Sequence, residues 1–139
     1  MSFLIDTCCI SELIRKRPDP NVLRWFTNHD ENSMYLSVLT IGELRKGIEK
    51  LEDSHKKKEL NRWVSDELTD RFRNRILGIH LDVVNRWGEI LAHAEINGCP
   101  LQAIDSLIAA TASVHDLAIV TANIKDFQNT GVKLINPWE

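Results

Sequence analysis

The sequence lacks the features that mark several specialised classes of protein. No apolar run approaches the roughly 20 residues that a membrane-spanning helix needs, so no contact with a membrane is expected. The N-terminus has no basic segment ahead of an apolar core, so no secretory signal is expected and the cytoplasm is the expected location. There is no CxxC pair, no HExxH motif and no linker rich in proline, glycine or serine.

Cysteine is also scarce, with three residues at Cys8, Cys9 and Cys99. An odd number of cysteines, two of them adjacent, favours free thiols over a disulfide framework or a zinc site.

Positive charge is concentrated in the first half of the chain. The net charge of −3 argues against a general nucleic-acid-binding surface. Residues 1–75 carry a net charge of +1 and residues 76–139 carry −4, so any contact with nucleic acid should use the first half. The run Arg15–Arg17 is either a solvated helix end or a contact to an RNA backbone, whereas Lys56–Lys58 is expected to be a solvated face.

Short apolar runs alternate with amphipathic segments along the 139 residues. The apolar runs predict strands at Ser2–Ile5, Met34–Ser37, Ile76–Ile79, Leu117–Val120 and Val132–Ile135. Helices are predicted at Cys9–Lys16, Asn21–Asn28, Thr40–Arg73 with a break between Gly47 and His55, Asp82–Asn97 and Leu101–Val114. Strands separated by helices predict an α/β fold in three layers, with a mainly parallel sheet of about five strands and one domain spanning residues 1–139.

Two aspartates stand where a charge is costly. Asp6 ends an apolar strand, and Asp105 lies inside the segment LQAIDSLIAATA, whose near neighbours are apolar or small. No lysine or arginine occurs between Arg86 and Lys125 to neutralise Asp105. Because a buried charge needs a partner, a bound cation is the expected solution.

Two further acids are expected to join them at the carboxyl edge of the sheet, where ligands of open α/β sheets gather. Glu43 opens the helix after the second strand, and Asp126 follows the strand Leu117–Val120. Two carboxylates ~4 Å apart repel by about 4 kcal/mol at an effective dielectric constant near 20, so the cluster requires counter-ions. Hard oxygen ligands favour Mg²⁺ or Mn²⁺, which can activate water to cleave a phosphodiester bond.

Each acid also has a purely structural interpretation. Asp6 can cap a helix after its strand, and Asp105 can cap a helix or pair with a distant arginine. Glu43 can be the glutamate of a capping box that begins at Thr40, and Asp126 can lie in a surface turn.

Four segments together resemble the PIN-domain family, specifically the VapC-type toxin ribonucleases of type II toxin–antitoxin systems. They are FLIDTCCISEL, SVLTIGELRKGIEKL, LQAIDSLIAATA and VTANIKDF, and they span essentially the whole chain in the family's order. The resemblance implies a PIN-like, Rossmann-like fold over residues 1–139. It also implies an acidic, metal-binding and catalytic centre of Asp6, Glu43, Asp105 and Asp126, in which Asp6 and Asp105 are the best direct ligands of Mg²⁺ or Mn²⁺.

The resemblance also implies supporting polar residues at Thr7, Thr121 and Asn123, which would hydrogen-bond the carboxylates and the substrate phosphate. The chain departs from the family pattern at two positions. Cys8 replaces the usual asparagine, which puts one supporting hydrogen bond in doubt, and Ala122 replaces an arginine found in many members.

The activity implied by the resemblance is metal-dependent endonucleolytic cleavage of tRNA or rRNA, which inhibits translation. A VapB-like antitoxin would neutralise the protein, the toxin would form a homodimer, and promoter DNA would be bound only through the antitoxin. Two alternatives stay open: a catalytically weak PIN scaffold that acts mainly as an antitoxin-binding co-regulator, and a structure-specific DNA nuclease.

Overall fold

A computed structural model describes residues 1–139. Its strands are β1 (Ser2–Ile5), β2 (Met34–Ser37), β3 (Ile76–Leu77), β4 (Leu117–Val120) and β5 (Leu134–Ile135). Its α-helices are α1 (Thr7–Leu13), α2 (Pro20–Thr27), α3 (Val38–Glu49), α4 (His55–Arg62), α5 (Thr69–Arg71), α6 (Leu81–Ile96), α7 (Ala103–Val114) and α8 (Ile124–Phe127). A 3₁₀ turn covers Glu31–Ser33, and a π-helical segment covers Trp63–Leu68.

All five strands are parallel and lie in the order β3-β2-β1-β4-β5. The central strand β1 pairs with β4 over its whole length, and the last pair in register is Ile5 with Val120. Asp6 and Thr121 therefore leave the sheet side by side at its carboxyl edge.

Alternate residues of β1 face two different layers of helices. Phe3 and Ile5 pack in one core cluster with Leu44 and Ile48 of α3. Leu4 packs on the opposite side, in the cluster that contains Val83 and Ile90 of α6 and Ile108 of α7. The predicted three-layer α/β architecture is thus confirmed. None of the helices has both the length and the hydropathy required to cross a bilayer.

The start of α3 differs from the prediction. Strand β2 passes directly into the helix at Ser37, whose Oγ accepts a 3.0 Å hydrogen bond from the backbone N–H of Leu39. Thr40 is only 1% exposed and lies inside α3, so its predicted role as N-cap was wrong. The physical reason is that Ser37 reaches the first free N–H groups of the helix without any intervening loop.

Several smaller elements differ from the prediction. The edge strands β3 and β5 are shorter than the predicted Ile76–Ile79 and Val132–Ile135, with two residues each, and the one-turn helix α8 was not predicted. A wider π-helical turn begins at Trp63, where Arg45 of α3 donates hydrogen bonds to Asn61 and Ser65. Trp63 packs against the core, whereas Leu51 is 40% exposed in the turn before α4.

Candidate active site

Asp6 is fixed at the junction of β1 and α1. Its backbone N–H donates a hydrogen bond to the carbonyl of Val120, which extends the pairing of β1 with β4, and the same residue is the N-cap of α1. The carboxylate is buried, with Oδ1 accepting from the backbone N–H of Thr7 at 2.9 Å and Oδ2 accepting from the Thr121 hydroxyl at 2.7 Å. The capping interpretation is therefore correct for one oxygen, while the second oxygen is held toward Thr121.

Glu43 lies on the exposed side of α3 and is linked to the start of α1. The Thr7 hydroxyl donates a 2.7 Å hydrogen bond to Glu43 Oε1, across 36 residues of sequence. Because α3 begins at Val38, Glu43 is too far into the helix for a capping box, and that interpretation was wrong.

Asp105 occupies the first turn of α7 and is half-buried, whereas Asp126 is exposed in α8. Burial, followed by the negative charges of Asp126, Asp6 and Glu43 in that order, raises the pKa of Asp105 to about 6. The four predicted acids therefore share one electrostatic environment. Asp105 forms no ion pair, so the interpretation that a distant arginine neutralises it is wrong.

The carboxylate oxygens at this edge are donors of the type that a hard divalent cation prefers. Four carboxylates converge here without any lysine or arginine paired to them. No three Asp, Glu, His or Cys side chains stand close enough together to enclose an ion in this conformation. The negative charges of Asp126, Asp6 and Glu43, which help to raise the pKa of Asp105, would also favour the binding of Mg²⁺ or Mn²⁺.

Thr121 is the best-supported of the other predicted polar residues, because it is fully buried and its hydroxyl has two partners. It donates to Asp6 and accepts the backbone N–H of Asn123 at 2.9 Å. The side chain of Asn123 is exposed and makes no hydrogen bond to a carboxylate. Its predicted contact to a substrate phosphate stays a prediction.

Cys8 belongs to this site, although in the sequence it stands out only as a departure from the family pattern. Its Sγ lies 3.8 Å from Asp6 Oδ2 and 3.6 Å from Thr121 Oγ1, and it accepts the N–H of Ala122 at 3.5 Å. The neighbouring Cys9 thiol, the N–H of Ala122 and the Thr121 hydroxyl lower the pKa of Cys8 to about 7, although burial and the charge of Asp6 oppose them. Its position two residues after Asp6 is a further signal in the sequence.

A separate cavity of about 440 Å³ lies between α1, α2 and the π-helical segment. Most of its lining is hydrophobic, including Ile14, Leu23, Phe26 and Trp63, and an ion pair of Glu31 with Arg71 lies at the same cavity. Leu23 and Ile14 are 42% and 43% exposed, so the cavity opens to the surface. No sequence motif predicted it.

Comparison with known proteins identifies a family and several relatives that match nearly the whole chain. Residues 3–133 match the family model described as PIN domain. The chain is 33% identical over 135 residues to toxin FitB of Neisseria gonorrhoeae, covering 97% of both chains. It is 31% identical to VapC ribonuclease Y4jK of Sinorhizobium fredii, covering 98% of this chain and 97% of the relative. It is 28% identical to the tRNA(fMet)-specific endonuclease VapC of Shigella flexneri, covering 99% and 98%.

Two solved structures match the fold over nearly the whole chain. The crystal structure of FitAcB from Neisseria gonorrhoeae superposes with a TM-score of 0.94 at 33% identity, covering 99% of each chain. The structure of FitAB bound to an IR36 DNA fragment gives a TM-score of 0.93 at 31% identity, covering 99% of this chain and 96% of that one. The parallel sheet, the acidic edge and these matches lead to one conclusion: the chain belongs to the PIN-domain family, where it is related to the VapC-type toxin ribonucleases.

Proposed function

We propose that this protein is the toxin of a type II toxin–antitoxin pair and that it is a metal-dependent endoribonuclease that cuts tRNA or rRNA. The observation that carries the proposal is the convergence of Asp126, Asp6 and Glu43 on Asp105, whose pKa they help to raise. The names of the relatives support it, since they include a toxin, a ribonuclease and a tRNA-specific endonuclease. Cleavage of cellular RNA of this kind would take place in the cytoplasm.

The chain's own residues would position the carboxylates and the phosphate. The Thr121 hydroxyl holds one oxygen of Asp6, and the Thr7 hydroxyl holds one oxygen of Glu43. Asp6 and Asp105 would be the direct ligands of the ion, and Glu43 and Asp126 would bind a second ion or position water. A bound Mg²⁺ or Mn²⁺ would neutralise the carboxylates and lower the pKa of the attacking water.

The proposed reaction is hydrolysis, in which water adds to phosphorus and the P–O3′ bond breaks. The products would carry a 5′-phosphate and a 3′-hydroxyl, and the 3′ oxygen leaves with a proton from solvent. Attack by the 2′ oxygen is not required, so a pair of catalytic histidines is not required either. Single-stranded or looped RNA fits an open edge of this kind better than a closed duplex.

The open apolar cavity beside α1 and α2 is the proposed docking site of the antitoxin. A cavity lined by Ile14, Leu23, Phe26 and Trp63 suits the apolar face of an amphipathic segment. FitAB was solved bound to a DNA fragment, which supports an antitoxin partner and the binding of promoter DNA through it. The expected homodimer stays a prediction, to be checked by light scattering on the purified toxin.

The test is an assay of the purified protein on total tRNA and rRNA with Mn²⁺ or Mg²⁺, followed by addition of EDTA. Cleavage should depend on the metal and should be lost in Asp6→Asn and in Asp105→Asn. Asp116→Asn is a matched control, because Asp116 is an exposed aspartate at the amino end of β4 with a positive φ that asparagine tolerates. Cleavage that survives EDTA and both site variants would overturn the metal-dependent mechanism.

The alternative functions give different results in the same experiment. A catalytically weak scaffold would bind its antitoxin but would cut neither RNA class with either metal. A structure-specific DNA nuclease would cut branched DNA in preference to RNA when both substrates compete.

A further inference from the structure

We propose that one face of α3 and its C-cap, formed by Glu43, Lys46, Gly47 and Lys50 and named the α3 track, binds the sugar–phosphate backbone of the RNA beside the acidic centre. The inference rests on the proposed nuclease function and names part of its substrate-binding surface.

The four positions form one continuous patch. Residues three and four apart are neighbours on a helix, so Glu43 lies next to Lys46 and Gly47, and Lys50 lies next to both of these. Leu44 and Ile48 point the other way, into the core. At 1.5 Å per residue, the patch extends about 10 Å along α3 from the glutamate that Thr7 holds at the candidate active site.

The two lysines of the track are free to bind phosphate. Lys46 and Lys50 are exposed, and neither side-chain amine forms an ion pair or a hydrogen bond within the protein. Of the other cations of this helical hairpin, Lys57 binds the carbonyls of Glu49 and Leu51, and Arg45 binds Asn61. Lys56 and Lys58 are also exposed and unpaired, but they lie on α4 and not beside Glu43. Unpaired cations next to a phosphodiester-cleaving centre match the charge of a nucleic-acid backbone.

Gly47 leaves the track without a side chain at the position one turn beyond Glu43. A Cβ there would meet no atom within 4 Å, and the backbone conformation does not require glycine. Glycine inside a helix is destabilising relative to alanine, so neither packing nor conformation accounts for it. A flat position of this kind allows another backbone to approach closely. Gly42 of α3 and Gly88 of α6 are equally open, but Gly42 borders the same track beside Lys46, whereas Gly88 lies on a different helix.

The composition of this face favours RNA over a protein partner. The exposed positions of α3 from residue 42 to residue 50 are glycine, glutamate and lysine, with no large apolar side chain among them. The core of a protein–protein interface is depleted of charged residues, whereas exposed apolar side chains line the cavity beside α1 and α2.

The charge test compares two double variants with the same change in net charge. Lys46→Gln/Lys50→Gln removes the track's cations, and Lys56→Gln/Lys58→Gln removes exposed cations of α4. Both are measured in the inactive Asp105→Asn protein with a labelled single-stranded oligoribonucleotide of mixed sequence, as Kd against salt concentration. The slope of log K against log salt should become shallower by about 0.7 for each phosphate that is no longer neutralised, so by about 1.4 for the track variant only. Equal slopes for the two variants would overturn the proposal.

The shape test compares Gly47→Ala with Gly88→Ala, because both place a methyl group on an exposed helix interior. Each should raise the melting temperature by roughly 2 °C, since alanine favours the helix. Only Gly47→Ala should weaken RNA binding and raise KM. The proposal for the track is contradicted if the Gly47→Ala protein binds RNA normally. It is also contradicted if this protein instead loses antitoxin binding or self-association.

The wild-type protein separates this inference from the proposed function. If the wild type cleaves RNA and all track variants bind RNA normally, the proposal for the track is overturned and the proposed nuclease function is kept. If RNA binding depends on the track but no RNA is cleaved, the proposed nuclease function is overturned and the proposal for the track is kept. Absence of RNA binding by the wild type would overturn both.

Discussion

Thr121 Oγ1 donates a 2.7 Å hydrogen bond to Oδ2 of Asp6, across 115 residues of sequence. The contact follows from the register of the sheet, because both residues come directly after the last pair of β1 and β4, Ile5 with Val120. Both side chains are buried, so the hydroxyl fixes the direction of a carboxylate that water cannot easily reorient.

Replacing Thr121 with valine should therefore weaken metal binding without altering the sheet. Valine keeps the shape of the side chain but removes the donor, and loss of such an outer hydrogen bond typically lowers metal affinity or activity by roughly 10- to 100-fold. Mn²⁺ affinity from isothermal titration and the cleavage rate provide two independent measurements. Thr121→Ser retains the hydroxyl and should behave nearly as the wild type; equal losses in both variants would show that packing, not the hydrogen bond, matters.

Asp105 makes the stability of the metal-free protein depend on pH. Because its pKa is raised to about 6 when folded, the folded state holds a proton that the unfolded chain releases near pH 4. The unfavourable contribution of Asp105 is thus fully present above about pH 6 and disappears as the pH falls toward 4. Since the side chain is only half-buried, solvent screening limits it to about 1 kcal/mol.

The measurement is the free energy of unfolding of wild type and Asp105→Asn in EDTA, between about pH 4 and pH 8. Asp105→Asn should be the more stable protein at pH 7, and the difference should shrink toward zero at about pH 4. Added Mn²⁺ should stabilise the wild type more than the variant, because the ion binds the folded state. A variant that is less stable at pH 7 would mean that Asp105 has a structural partner.

The central strands and the acidic edge could be predicted from the sequence because their signals are local. The bounds of β1, β2 and β4 match the prediction to the residue, since each is a short apolar run bordered by polar residues. Asp6 and Asp105 stood out as charges in apolar surroundings, and the carboxyl ends of parallel strands provided the rule that brings them together.

The remaining features depend on side-chain directions between distant segments. The hydrogen bond of Thr7 to Glu43 and the contact of Cys8 with Asp6 form only once α1 is placed against α3 and β4. The one-turn helix α8 is too short to show a helical period. The apolar cavity joins three separate helical segments, each of which is an ordinary amphipathic stretch in sequence.

Cys8 should be the most reactive thiol of the protein at neutral pH. Its pKa is lowered to about 7 and it is partly exposed, whereas Cys9 is fully buried. Since the thiolate is the nucleophile, the rate of alkylation of Cys8 by iodoacetamide in the metal-free protein should reach half its maximum near pH 7.

Peptide mass spectrometry after brief labelling distinguishes the three cysteines. Cys9 should react only on unfolding, and nuclease activity should fall in step with the labelling of Cys8, because the added group would lie against Asp6. Cys8→Ser should resist this inactivation. Equal inactivation of the wild type and Cys8→Ser would assign the effect to exposed Cys99 or to another group.

The proposed antitoxin site predicts a variant that separates neutralisation from catalysis. Leu23 lines the apolar cavity on α2 and is 42% exposed, so Leu23→Glu should be tolerated by the fold while placing a charge where an apolar segment would dock. Affinity for the antitoxin should fall by at least about 10-fold, equivalent to roughly 1.4 kcal/mol, whereas cleavage of RNA by the free toxin should be unchanged. Ile96→Glu is the matched control, because Ile96 is an 81% exposed apolar residue at the end of α6, on the opposite face of the sheet. A Leu23→Glu toxin that the antitoxin still inhibits with wild-type affinity would place the docking surface elsewhere, since a buried, unpaired carboxylate inside an apolar interface is too costly to leave the affinity unchanged.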